Sequence, residues 1–277
     1  MNRIFSLIII TLCLVACTTV GQTYVGSTPA HQVVRSFLQI SLTDSIDFIR
    51  WKLELSQGKF KIHCRYGLAK AGTPGFSNEK TVRFEGSLTK NDNYYYLTYK
   101  DRKICLLGVN ENIFHFLDNS KKMLIGNGGY SYALNCTTPV TTNGFTIKTV
   151  QAAIKSPMVF EGRTPCQQLS SLLNLHKGND CEKMKWYIQF YTDAVTGNPS
   201  YYLKGGASMK KEEMERGSWQ IISKPDGRIV YQIKPENGTY TLNLLKGDDN
   251  ILFFTDSNGN VFVGNEDFSY TLNRRIK

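Results

Sequence analysis

The sequence predicts an all-β protein built as two tandem small antiparallel β-barrels, each with one short helix. Three observations predict it. Apolar and polar residues alternate with a period of two along most of the chain. Turn signals interrupt the alternation about every 8–12 residues. A long internal repeat writes the whole unit twice. The 277 residues are 41% hydrophobic and 20% charged, which suits a packed core and excludes a disordered polymer. The apolar runs stay short of the roughly 18 residues that a membrane-spanning helix needs.

The repeat is clearest at the end of each unit. Phe116-Leu117-Asp118 leads to Ile125-Gly126-Asn127-Gly128-Gly129-Tyr130-Ser131-Tyr132-Ala133-Leu134-Asn135. Phe254-Thr255-Asp256 leads to Val263-Gly264-Asn265-Glu266-Asp267-Phe268-Ser269-Tyr270-Thr271-Leu272-Asn273, offset by 138 without a gap. Gly26-Ser27-Thr28-Pro29 parallels Gly162-Arg163-Thr164-Pro165, Trp51 parallels Trp186, and Gly86-Ser87 parallels Gly217-Ser218. Matching start, middle and end in one order set domain 1 at 24–136 and domain 2 at 158–277. Residues 137–157, rich in Thr, read as a linker with room for a short strand.

The elements follow in order. Asn2-Arg3 and the apolar stretch Ile4 to Ala16 make a signal peptide, too short for a span. In domain 1, Trp51-Lys52-Leu53-Glu54-Leu55 and Phe60-Lys61-Ile62-His63-Cys64-Arg65-Tyr66 alternate as half-buried strands do. Ser56-Gln57-Gly58 and Lys90-Asn91-Asp92-Asn93 supply turns. In domain 2, Trp186-Tyr187-Ile188-Gln189-Phe190 and Tyr240-Thr241-Leu242-Asn243-Leu244 alternate, with turns at Pro225-Asp226-Gly227, Glu236-Asn237-Gly238 and Ser257-Asn258-Gly259-Asn260. Closing such a meander into a barrel removes its exposed edges. Helical spacing replaces the two-residue period at Val33, Val34, Phe37 and Leu38, and at Leu169, Leu172 and Leu173. Thr28-Pro29 and Thr164-Pro165 suit the starts of these helices, with Thr as cap, Pro at the first position and Gln167 completing a capping box.

Leu14-Val15-Ala16-Cys17 resembles the bacterial lipobox, which implies cleavage before Cys17 and lipidation of its thiol. Residues 17–23 then form a tether, and several acyl chains hold the chain to a bilayer where one would not. The same resemblance places the protein in the cell envelope. Thr18 after the cysteine implies the outer membrane where the host has one. The alternative is an ordinary secretory signal cut near Gly21 or Gly26.

Domain 2 resembles the N-terminal domain of the NlpE-type copper-resistance lipoproteins, small lipocalin-like β-barrels. The matching residues are Gly162, Pro165-Cys166, Gly217-Ser218-Trp219, Asp256 with Gly259, and Phe268-Ser269-Tyr270-Thr271-Leu272. Domain 1 carries the likeness through the repeat. The family's Cys-x-x-Cys is broken in both copies. Its second cysteine falls on Leu169, and the domain 1 positions are Ala30 and Val33. A lone thiolate holds Cu(I) poorly, so copper does not carry over with the likeness. The resemblance implies a non-enzymatic envelope lipoprotein that binds an envelope partner or senses envelope stress. The alternative is a lipocalin-like carrier with a small apolar ligand in one barrel. These differ in what fills the interior, and the 15 Tyr, 15 Phe and 3 Trp favour a plugged one.

Five cysteines remain beyond the anchor: Cys64, Cys105, Cys136, Cys166 and Cys181, an odd number in a compartment that permits disulfides. Cys166, at the second position of its helix, has two readings with Cys181: a disulfide, or a two-sulfur metal site completed by His176. A free buried thiol is the third. Cys64, facing the core, is a candidate partner of Cys105, and Cys136 of Cys166. His63 and His115 are expected at the surface, and no His shows metal-ligand spacing. Asp256-Ser257-Asn258-Gly259-Asn260 opens like a calcium loop but has Val261 where Gly is needed, so a tight hairpin is expected. Nucleophile elbows, P-loops and dinucleotide fingerprints are missing, so no enzyme and no cofactor is expected. The net charge of +10 is spread along the chain, with 15 basic against 9 acidic groups in residues 18–135 and 17 against 14 in 136–277. That pattern suits a solvated surface beside anionic lipid or polysaccharide and no nucleic-acid groove. The sequence fixes no oligomeric state.

Overall fold

The structure, a computed structural model, describes residues 21–142, 144–149, 151, 156–173 and 181–276. Cys17 and His176 lie outside them. The first barrel contains β1 (Gln22–Thr28), α1 (Gln32–Leu38), β2 (Phe48–Ser56), β3 (Lys59–Gly67), β4 (Lys80–Asn91), β5 (Tyr94–Tyr99), β6 (Arg102–Asn110), β7 (Ile113–Phe116) and β8 (Ala133–Cys136). The second contains β9 (Met158–Pro165), α2 (Gln167–Leu172), β10 (Lys183–Thr192), β11 (Pro199–Lys204), β12 (Glu215–Ser223), β13 (Ile229–Pro235), β14 (Leu242–Lys246), β15 (Ile251–Thr255) and β16 (Thr271–Arg274). In each, consecutive strands pair antiparallel and the last returns to the first, closing eight strands. No helix among the described residues is long and apolar enough to cross a membrane.

Alternation decides which side chains enter the barrels. Along β3, Phe60, Ile62, Cys64 and Tyr66 are buried while Lys61, His63 and Arg65 are not. Large rings fill the first interior: Trp51 lies 4.8 Å from Phe116, Tyr24 lies 4.4 Å from Phe114, and Phe37 of α1 closes over Phe60 and Phe84. The second interior repeats the plan, with Trp186 4.8 Å from Phe254 and Phe190 wedged between Trp219 and Tyr231. Fully burying one such side chain contributes about 1.5–3 kcal/mol.

The helix starts differ from expectation. Thr28 and Thr164 do not cap. Their hydroxyls accept from the indole N–H of Trp51 at 2.9 Å and of Trp186 at 2.8 Å. A buried indole N–H without an acceptor is costly, and this demand takes the threonines away from the helices. The α1 cap is His31, whose Nδ1 accepts from the Val33 amide, and α2 starts at Cys166 without a side-chain cap. Pro165 ends β9 and does not open α2.

The linker holds no strand among its described residues. It is strapped down by side chains instead. Asn112 donates to the Val140 carbonyl and accepts from its amide, Thr146 donates its amide to Val109, and Phe145 packs on Phe253.

Thr164→Val keeps the shape and leaves the Trp186 indole unpaired. It should lower the unfolding free energy by about 1–3 kcal/mol in urea melts, and Thr28→Val should do the same in the first barrel. Melts unchanged from the parent would show that the indoles find other acceptors.

Candidate functional site: the seam between the barrels

The repeated C-terminal signature of each unit builds the contact between the two. The Gly126 amide donates to Asn273 Oδ1 at 2.7 Å, and the Gly264 amide donates to Asn135 Oδ1 at 2.9 Å. Ser131 and Ser269 hydroxyls meet at 2.5 Å. Tyr130 stacks on Phe268 with ring planes 5° apart, and the His115 ring meets Phe253 edge-on at 6.2 Å. In every case the partners are repeat equivalents, or the crossed pair of two equivalents. The contact is a pseudo-two-fold, isologous interface within one chain.

Glycine is required at 126 and 264 because each turn folds back on its own backbone there, against the asparagine of the other barrel. A Cβ on Gly126 would collide with the Tyr130 carbonyl and lie 2.9 Å from Asn273 Cγ. One on Gly264 would collide with the Phe268 carbonyl and lie 3.1 Å from Asn135 Nδ2. The following asparagines set the turns. Asn127 Oδ1 accepts from the Gly129 and Tyr130 amides, and Asn265 Oδ1 from those of Asp267 and Phe268. Tyr132 and Tyr270 hydroxyls reach back to the His31 and Gln168 amides at the helix starts. Asp256 Oδ1 accepts from the Asn258 and Asn260 amides, and Asp118 Oδ1 from those of Ser120 and Lys122, so both loops are the same tight turn. No group of three or more His, Cys, Asp or Glu suited to a metal occurs among the described residues.

An apolar cluster lies behind these polar pairs. Val109, Ile113 and Met123 of the first barrel meet Val230, Ile251 and Phe253 of the second, with Phe145 and Ile147 of the linker at its edge. His115 belongs to this layer and is fully buried, not at the surface as alternation predicts. Its side chain does point out of its own barrel, but the second barrel covers that face. Its Nδ1 lies 2.9 Å from the Phe116 carbonyl oxygen and its Nε2 has no partner. Burial drives its pKa down to about 4. At one edge Arg50 bonds Asp267 across the seam and also donates to the Pro74 carbonyl.

One flank of the seam opens into a cleft of about 720 Å³ lined by Asn112, Cys136 and Thr142 on one side and Gln168, Asn260 and Glu266 on the other. Asn260 Oδ1 is buried there without a partner. The opposite flank differs in side chains. The equivalents of Val25 and Cys136 are Glu161 and Arg274, and Arg275 approaches Glu161 at 3.9 Å.

The cysteines separate into two groups. Cys166 and Cys181 form a disulfide with a Cα–Cα distance of 5.9 Å. Neither sulfur is then a thiolate, so the two-sulfur metal site with His176 is not the arrangement found. Cys64, Cys105 and Cys136 are free. Cys64 cannot pair with Cys105, because Cys64 points into the barrel and Cys105, half-buried on β6, points out beside the linker. Burial pushes the Cys64 thiol well above its usual range. Cys136 stays at the cleft, away from Cys166.

A polar cluster inside the second barrel escapes sequence reading. Glu215 Oε1 accepts from Tyr202 at 2.7 Å and Tyr240 at 2.5 Å and pairs with Lys204 Nζ at 3.0 Å. Burial alone would raise this carboxyl, but Tyr240, Tyr202 and Lys204 together hold it below its usual value. Burial lowers Lys204 despite Glu215 and pushes both phenols up. With every charge met, the cluster works as an internal brace. Two residues before the matching glycine, the first barrel carries Phe84, stacked on Tyr99 at 4.5 Å under Arg102. Long sequence separations hide such a cluster from motif reading.

Compared with known proteins, the chain matches no family model, no curated protein and no solved structure.

Two outcomes test the seam. Asn273→Ala leaves the Gly126 amide unpaired and should cost about 1–3 kcal/mol in denaturant melts, with faster proteolysis of the linker. Unchanged melts and cleavage would remove the crossed pair from its central place. The second outcome concerns pH. His115 is held neutral in the fold, while the unfolded chain binds its proton near pH 6.5. The stability it allows is therefore complete above about pH 6.5 and is lost as pH falls toward 4, by about 3 kcal/mol in all. His115→Phe, which copies Phe253, should remove this loss when melts at pH 7 and pH 4.5 are compared.

Proposed function

We propose that the chain is a non-enzymatic, lipid-anchored envelope protein of NlpE-like kind. The seam locks its two barrels into one body, and the cleft beside the seam receives an envelope partner. The observation that carries this reading is the filling of both barrels. Tyr24, Trp51, Phe114 and Phe116 occupy one interior and Phe160, Phe190 and Tyr202 the other, all buried. A carrier needs that volume for its cargo. The lipobox-like Leu14-Val15-Ala16-Cys17 supports the anchor at Cys17, and Thr18 supports the outer membrane.

Copper sensing receives less support. Leu169, at the position of the family's second cysteine, is a fully buried core residue, and Cys166 is committed to Cys181. The cleft supplies what a partner site needs: a concave surface with acidic groups at Asp256 and Glu266.

Native mass spectrometry of protein extracted from the envelope tests both halves of the reading. The expected species is the mature chain with acyl groups on Cys17 and no small molecule. A stoichiometric apolar ligand would favour the carrier instead, and an unmodified Cys17 would remove the anchor. Photo-crosslinking from position 266 should trap one envelope protein that a control at exposed Val195 does not.

A further inference from the structure

The outer wall of the first barrel carries an arrangement that intramolecular energetics do not explain. Lys52 on β2 lies directly opposite His63 on β3, which lies directly opposite Arg83 on β4. Three basic residues thus form one row across three adjacent strands, and Arg65 stands two residues from His63. Lys52, Arg65 and Arg83 thus crowd around one imidazole, and cations gathered on one face repel one another. Neighbouring carboxylates offset part of this. Lys52 pairs with Glu54 at 2.6 Å, Arg65 with Glu79 at 3.5 Å and Lys61 with Glu85 at 3.9 Å.

Arg83 is left over, with no hydrogen bond or ion pair among the described residues. His63 is left over too. Its Nε2 is shielded from solvent and has no partner. Burial first, then Arg83, Arg65 and Lys52, hold the imidazole below its usual pKa, while Glu79 opposes them weakly. The row lines a groove of about 470 Å³ with Lys61, Glu54 and Glu85 at its side. An imidazole with an unpartnered nitrogen, an exposed guanidinium outside any ion pair and an ammonium beside them line one concave wall, and together they suit an anion with several acceptor oxygens.

We propose that this groove binds a phosphate group, with the Arg83 guanidinium and the protonated His63 imidazole donating to its oxygens and Lys52 completing the charge. A carboxylate has two oxygens, which the Arg fork alone can use. A phosphate monoester has three and a second charge, so it serves the fork and the imidazole together. Two sources share this chemistry: a soluble phosphate and a phosphorylated lipid headgroup. The lipid source rests on the proposed anchor. Thr23 and Val25 of β1 stand opposite Glu54 and Lys52, a few residues after Cys17.

Binding should protonate His63, so the imidazole itself reports the ligand. The full chain, labelled at histidine Cε1, is titrated by NMR at fixed ionic strength in chloride, in inorganic phosphate, and with a soluble short-chain phosphatidic acid. His31 and His115 serve as internal controls. We expect the His63 pKa to rise by about one unit, which corresponds to about tenfold tighter binding by the protonated ring. We expect Arg83→Gln to remove most of the rise. A rise in both phosphate and the lipid marks a soluble phosphate site, and a rise with the lipid alone marks a headgroup site. No rise with either, or a rise that Arg83→Gln leaves intact, would overturn the proposal. The lipid state of Cys17 does not enter the phosphate arm, so loss of the anchor and loss of the groove would be told apart.

Discussion

Two backbone amides and two asparagine side chains hold this molecule in its two-barrel form. Buried N–H groups must be met. Here Gly126 and Gly264 reach across to the asparagine that ends the opposite unit. That exchange demands glycine for close approach, an ordered turn after it and a small hydroxyl at the axis. Without it, the layer containing Val109, Ile113, Val230 and Phe253 would face water on both barrels. An exposed apolar area of that kind marks an interface or an aggregation hazard. The crossed pair therefore governs the solubility and the shape of the chain together.

The barrels themselves were legible in the sequence, for local reasons. Alternation along Phe60 to Tyr66 fixes which side chains enter the core, and turn residues fix where strands reverse. The repeat announced two units, yet its letters disclosed their purpose only in three dimensions. Asn135 and Asn273 read as ordinary strand ends, but each belongs to the other barrel's turn. The misreadings share this origin. His115 obeys alternation and points outward, but outward there means into a neighbour. Thr28 and Thr164 have the right place for a cap, but an indole some twenty residues on has the stronger claim. Alternation also places Cys64 and Cys105 on opposite sides of one wall, which spacing alone did not weigh.

Where the two copies agree and where they differ follows a physical division. Agreement is closest at the crossed Gly–Asn pairs, at the Trp–Thr pairs and at the tight turns begun by Asp118 and Asp256. Difference collects away from these contacts. One barrel has Phe84 and Tyr99 under Arg102 where the other has a carboxylate ringed by two phenols and an ammonium. One flank of the seam has Val25 and Cys136 where the other has Glu161 and Arg274. The basic row on β2, β3 and β4 belongs to the same class of difference. A duplicated fold can specialise at such places without disturbing its shared frame.

The strapped linker has a consequence for assembly. An isologous surface is indifferent to whether its mate comes from the same chain or another. Joining both halves by residues 137–157 confines each near its mate, at an effective concentration in the millimolar range. Even a seam with modest intrinsic affinity would then close within one molecule, far ahead of any encounter between chains. Lengthening or cutting that connection would release the competition, and exchanged pairs would form from the same contacts.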